Sequence, residues 1–146
     1  MIELDYKKLQ LKEVLEKDWK FILDLRNENY KNNFLEQQKP IEINEHIEYM
    51  KEQELNPKFH HWLAVYENKL VGYVRILDED VNIMIKKSFQ KKGLGTILLN
   101  LLDMKAKELG IKKLKAKILA NNKSSKKIFE KNNYKLKTYF FEKEVF

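Results

Sequence analysis

A chain of 146 residues and 17.7 kDa can build one hydrophobic core, and with no apolar run near the roughly 20 residues of a membrane span and no signal-peptide core after MIELDYKK, a single-domain, soluble, cytoplasmic protein is expected, monomeric or homodimeric. The absence of cysteine excludes disulfides, thiol nucleophiles and cysteine–zinc sites, and three histidines without ligand spacing give no reason to expect a metal. The net charge of +7 suggests nucleic acid, but only Arg26 and Arg75 are arginines and no zinc-finger spacing, aromatic RNA-binding strand or basic zipper accompanies the lysines, so neither nucleic acid nor membrane is the expected partner.

Taken in chain order, LQLKEV (9–14) alternates apolar and polar residues like a half-buried strand. Asp18 stands as N-cap before KFILDLRN, whose Phe21, Ile22 and Leu25 share a helical face, and the asparagine-rich NENYKNN reads as the connection after it. Asn44 is placed to cap EHIEYMKEQEL, with Ile47, Met50 and Leu55 on one side. HHWLAVYENKLVGYVRIL predicts a hairpin with ENK as its turn. DVNIMI then predicts a strand with Val81, Ile83 and Ile85 on one face and Asp80, Asn82 and Met84 on the other. From Gly93 a stripe of Leu94, Ile97, Leu98, Leu101 and Leu102 predicts a helix ending at Gly110. LKAKIL (114–119) reads as another strand, KSSKKIFEKNN as a short helix led by Asn122 and closed by Asn133, and YKLKTYFFEKEVF as one or two closing strands. The fold class is α/β, a mixed, mostly antiparallel sheet flanked by about four helices.

Between the strand DVNIMI and the leucine-striped helix lies Q-x-x-G-x-G, formed by Gln90, Lys91, Lys92, Gly93, Leu94 and Gly95 and followed by Thr96. A glycine turn at a helix start offers free backbone N–H groups at the positive end of the helix dipole, glycines permit close backbone approach, and the lysines add charge. Such a turn suits a pyrophosphate, or it is only a tight turn with a solvated basic rim. Neither the G-x-x-x-x-G-K-[ST] loop nor the G-x-G-x-x-G dinucleotide fingerprint is present.

The hairpin, the strand, Q-x-x-G-x-G with its helix, LKAKIL and the run N-x-x-S-x-x-x-F-x-x-x-N-Y from Asn122 to Tyr134 together resemble the GNAT superfamily of acetyl-CoA-dependent N-acetyltransferases. The resemblance covers 62–134 and implies a sheet with splayed central strands. It also implies that the backbone of Ile83, Met84 and Ile85 pairs with the pantetheine arm of acetyl-CoA, and that its pyrophosphate rests on the turn of Gln90, Lys91, Lys92, Gly93, Leu94, Gly95 and Thr96. Asn122, Ser125 and Phe129 would complete the cofactor site. A backbone N–H near Met84 or Ile85 would polarise the thioester carbonyl, and Asp80 is the candidate to take the proton of the attacking amine. Phe129 stands where many relatives have a tyrosine, so a side-chain proton for the leaving thiolate is missing there. LRNENYKNN with PIEINEH and Val74-Arg75 is similar to the branch that acetylates nucleotide-linked 4-amino sugars. On that resemblance Arg26, Asn27, His46 and Arg75 are candidates for the pocket of a small-molecule amine. Acetylation of a protein amine, or a non-catalytic module that binds acyl-CoA, stand as alternatives.

Overall fold

The computed structural model describes residues 4–34 and 36–146. Strand β1 (Leu9–Glu13) is followed by helices α1 (Trp19–Asn33) and α2 (Ile43–Glu54), strands β2 (Phe59–Tyr66), β3 (Lys69–Leu77) and β4 (Asp80–Ile85), and helices α3 (Leu94–Leu109) and α4 (Lys123–Lys131). The four strands form one antiparallel sheet in the order β1-β2-β3-β4. The predicted ENK hairpin turns on Glu67 and Asn68, both with positive φ (46° and 66°), the left-handed pair that matches the twist of the flanking strands. Gly110 ends α3 at φ 75° and Asn133 follows α4 at φ 71°, as the sequence predicts.

Period-two alternation divides the sheet between two cores. On one face Val74, Ile76 and Val81 pack with Leu94, Leu98, Leu99 and Leu102 of α3 and with Phe129 of α4. On the other, Leu63, Tyr73 and Met84 pack with Trp19, Ile22 and Leu25 of α1 and Met50 of α2. Leu98, Leu99 and Leu102 are fully enclosed, and removing each from water contributes about 1.5–3 kcal/mol.

The structure corrects several sequence expectations. Helix α1 does not stop before the asparagines; it runs through them to Asn33. The poor helix propensity of asparagine is offset by specific bonds, such as that from Asn29 Nδ2 to the Leu25 carbonyl (2.8 Å). Asp18 is the N-cap residue of α1, but its carboxylate accepts the N–H of Leu15 (2.9 Å) and braces the preceding turn. Helix α2 begins one residue before Asn44, with Glu42 at its N-cap. The segment 114–119 is extended but makes only one bridge, parallel, between Lys115 and Asp80. No strand forms in 134–146, where Tyr139, Phe140 and Phe141 are exposed: an alternating pattern makes a strand only where an edge pairs with it. Among the described residues, no helix is long and apolar enough to cross a membrane.

Candidate functional site

The bridge to 114–119 is the start of a cleft. The Val81 N–H donates to the Lys115 carbonyl (2.7 Å) and the Lys115 N–H to the Glu79 carbonyl (2.8 Å). Beyond this point the two segments part, and a cleft opens between Asn82 and Ile83 on one side and Lys117, Ile118, Ser125 and Phe129 on the other. Because Val81 points its N–H outward, ladder alternation turns the amides of Ile83 and Ile85 outward too and gives those of Asn82 and Met84 to β3. The Ile83 carbonyl is met by Asn33 Nδ2 at 3.4 Å and that of Ile85 by Gln90 Nε2 at 2.9 Å, both consistent with that direction. Of the two candidate donors to a thioester carbonyl, Ile85 therefore has the outward amide. Met84 has its amide in the ladder and its side chain in the α1–α2 core.

The far wall of the cleft is the start of α4. Asn122 caps this helix by accepting the Ser125 N–H (3.1 Å), and its Nδ2 reaches Asn33 Oδ1 at 3.3 Å, which ties α4 to the end of α1. Phe129 is buried at 5 % exposure, edge-on to the Tyr134 ring at 4.9 Å. Burial pushes the Tyr134 phenol up to about 12.

At the C-terminal end of β4 the Q-x-x-G-x-G turn takes two left-handed residues, Lys91 (φ 60°) and Gly93 (φ 82°). Gly93 is the N-cap of α3 and offers no side chain, so the first N–H groups of the helix have no side-chain cap. Lys91 and Lys92 are exposed, and the Lys92 ammonium lies 5.4 Å from the centre of the Phe89 ring. Gln90 is a tether: its Nε2 donates to the Ile85 carbonyl and to Asn29 Oδ1 (3.1 Å). Leu94 belongs to the core, and Thr96 is half-buried behind it. Gly95 has a packing role, since an added Cβ would lie 3.1 Å from Ile128 Cδ1; its bare backbone lets α4 approach α3. No sequence signal marks Tyr6, whose hydroxyl donates to the Lys92 carbonyl (2.8 Å) and braces the turn from the N-terminal segment.

A second cavity lies on the other face of the sheet, between α1, α2 and β3–β4. Arg26, His46 and Arg75 line it with Phe34, Tyr49, Phe59, Tyr73, Asn82 and Met84. Three of the four predicted acceptor residues thus meet. Asn27 does not; it pins the chain after α1, donating to the Ile41 carbonyl (2.9 Å) and accepting the Ile41 N–H (2.8 Å). Arg26 lies with its guanidinium 4.1 Å from the Phe34 ring centre, and its Nε donates to Gln37 Oε1 (2.9 Å). Arg75 donates through Nη2 to Asp80 Oδ2 at 2.6 Å, so the carboxylate nominated as a base is held in an ion pair. Arg75 Nε and Asn82 Oδ1 are buried without a hydrogen-bond partner among the described residues.

His46, a candidate for the acceptor pocket, is 4 % exposed. Its Nε2 sits 2.9 Å from the Trp19 carbonyl, which can only accept, so Nε2 carries the hydrogen; burial lowers its pKa and keeps the ring neutral at pH 7. Burial raises the pKa of Tyr73 and keeps it a neutral phenol. Among the described residues the cavity therefore has one guanidinium, Arg26, in no ion pair and a second, Arg75, shared with Asp80. The period-two pattern of LVGYVRIL puts Tyr73 on the face of Arg75, a signal from which Tyr73 could have been found. Asn82 lines both cavities, so they meet at β4.

The sequence model described as Acetyltransferase (GNAT) family matches residues 19–134. No curated protein matches the chain significantly. Among solved structures, a domain from Methanocaldococcus jannaschii DSM 2661 superposes with a TM-score of 0.76 at 24 % identity, covering 88 % of each chain. The spermidine N-acetyltransferase from Vibrio cholerae in complex with CoA and spermine has a TM-score of 0.74 at 20 % identity, covering 86 % of this chain and 79 % of its own. An N-acetyltransferase from Staphylococcus aureus Mu50 gives 0.74 at 23 % identity, over 87 % and 83 %. These likenesses establish the shared fold.

Proposed function

Because the chain belongs to the acetyltransferase (GNAT) family, a family of acetyl-CoA-dependent N-acetyltransferases, we propose that it acetylates a small primary amine carrying an anionic group, such as a nucleotide-linked amino sugar, bound between Arg26 and Arg75. The observation that carries this reading is the charge of the second cavity: among the described residues two guanidiniums line it and no carboxylate does, Arg75 being paired with Asp80 outside it. A guanidinium fork suits phosphate or carboxylate oxygens, whereas a polycation would meet two like charges there.

The residues of the cleft fit acetyl-CoA, which supplies the acetyl thioester. The free edge of β4 offers the Ile83 and Ile85 amides to the pantetheine arm and the thioester oxygen. The turn 91–96 offers the uncapped start of α3 and two lysines to the pyrophosphate. Ser125 and Phe129 wall the cleft, and Phe129 gives no proton to the thiolate, which takes one from water. Asp80 acts by orienting Arg75, and the main contribution of the fold is to hold amine and thioester in line across Asn82.

The test is a panel of amines followed by release of free thiol: nucleotide-linked amino sugars, small amino acids, spermidine, and peptides with free N-termini or lysines. Anionic small amines should give the highest kcat/KM. Preference for spermidine would overturn the anionic reading, and preference for peptides would make a protein amine the substrate.

A further inference from the structure

Neither the coenzyme cleft nor the two guanidiniums accounts for a buried hydroxyl–imidazole pair in the wall of the acceptor cavity. Tyr73 lies on β3 directly opposite Met84 of β4, in the same register as the strand segment next to the cleft. Its ring is 4 % exposed and lines the cavity, and its hydroxyl is 2.9 Å from Nδ1 of His61 on β2. His61 is half-buried, packed edge-on against Phe59 at 4.7 Å and against Tyr73 at 5.7 Å. A buried phenol bonded to a neutral imidazole that is itself nearer the surface forms a short path for a proton.

We propose that Tyr73 takes the proton released when the amide forms and hands its own to His61, which passes it to solvent. In the balanced step the amine nitrogen bonds to the acetyl carbon and the carbon–sulfur bond breaks with its electron pair going to sulfur. One amine proton moves to Tyr73 Oη as the phenolic proton moves to His61 Nδ1. The imidazolium then loses a proton to water, and the thiolate gains one from water. Tyr73 is the catalytic residue here, and His61 acts through it.

The surroundings fit a relay that does not store charge. Facing the pair are Arg75, opposite His61 in register, Arg26 from α1, Tyr49 and His46 from α2, and His60 beside His61; of the nearby carboxylates, Asp80 is engaged by Arg75 and Glu45 of α2 acts on Arg26. Burial and His60 push His61 down to about 4, so it is neutral and able to accept at pH 7. Arg75 and Arg26 both favour negative charge on the Tyr73 oxygen at the moment of transfer, although burial keeps it protonated at rest. A neutral nitrogen that has attacked a carbonyl becomes strongly acidic, so even a weakly basic imidazole suffices as acceptor.

The inference rests on this cavity being the acceptor site, and its test uses whichever amine of the panel the wild-type protein acetylates best. Tyr73→Phe should lower kcat about 100-fold and His61→Gln about tenfold, with KM for amine and acetyl-CoA changed less than about threefold. The double variant should be no slower than Tyr73→Phe alone, because the two act in series. A purely structural role would move KM or the unfolding midpoint instead. Losses that multiply in the double variant, or a kcat within threefold of wild type in either folded variant, would overturn the relay. If Tyr73→Phe fails to fold, His61→Gln decides alone. Inactivity of the wild type toward every amine would count against the acceptor site itself, a different failure from retained kcat in the variants.

Discussion

Replacing Arg75 by methionine separates an anion-reading cavity from a merely well-packed one. Methionine keeps an unbranched stem against the sheet and removes the guanidinium fork. The Arg75 side chain is only 13 % exposed, so a contact between its fork and an anionic acceptor would be poorly screened. A hydrogen bond to a charged group contributes about 1.5–3 kcal/mol, and its loss should raise the KM of an anionic acceptor about 10- to 100-fold. The fold should lose less, because Asp80 is 39 % exposed and returns to water once unpaired, a cost of about 1 kcal/mol. Initial rates at saturating acetyl-CoA, with an anionic amine and with its analogue lacking the anion, measure the first quantity; urea unfolding measures the second. The anionic acceptor alone should suffer. If both acceptors weaken equally, or if the KM of the anionic one stays within twofold, Arg75 serves Asp80 and the sheet, and the argument from cavity charge fails.

Four further outcomes follow from the same geometry. Gly72→Ala would put a Cβ 2.6 Å from the Met84 carbonyl oxygen and force β3 from β4, which should cost about 1–3 kcal/mol in urea unfolding and depress turnover with it. Gly93→Ala places a side chain at φ 82° and 2.8 Å from the Tyr6 hydroxyl, so coenzyme A affinity measured by calorimetry should fall about fivefold or more, a strain of about 1–2 kcal/mol at the turn. Since the folded His61 titrates near 4 and its unfolded value is 6.5, the unfolded chain binds the extra proton between them. Stability should therefore fall as pH drops through that window, by well under about 3 kcal/mol because solvent screens the half-buried ring, and His61→Gln should flatten the slope seen by urea unfolding at pH 7, 5.5 and 4.5. Phe129→Leu should weaken coenzyme binding and remove the edge-on contact to Tyr134, about 1 kcal/mol, yet leave the pH profile of turnover unchanged because no proton passes through that ring.

How far the sequence could be read depended on whether local chemistry or distant partners decided each element. Strand β4 was legible because one buried face fixes a period of two: Val81, Ile83 and Ile85 lie with the α3 core, and Asn82 and Met84 line the opposite cavity. Left-handed Gly110 and Asn133 were legible because few residues tolerate that conformation. The last two turns of α1 were not, because the bond from Gln90 Nε2 to Asn29 Oδ1 spans 61 positions and no local window contains it. The same holds for the site. Alternation places Asp80 on the acceptor face but does not tell that Arg75, on the neighbouring strand, takes up its carboxylate. The glycines of the turn were readable as a pair, but not that Gly93 shapes the loop and Gly95 lets Ile128 approach.

One strand carries almost every requirement of the site. The inner face of β4 closes the α3 core, its other face walls the second cavity, and its outer edge lines the cleft, so Asn82 borders both cavities while its neighbours on either side, Val81 and Ile83, pack against the α3 core and edge the cleft. A slip of one residue between β3 and β4 would turn Val81 and Ile83 into the acceptor cavity and Asn82 into the core, and would reverse the direction of every amide along the cleft. The register must therefore be pinned at its tight end. There the left-handed Asp78 makes the turn, Leu77 pairs with Asp80, and the Arg75–Asp80 ion pair spans the two strands. On the proposed reading, the pair that orients a guanidinium for the acceptor also holds β4 in the alignment that turns the Ile83 and Ile85 amides outward, so binding of the amine and binding of the thioester would depend on the same turn.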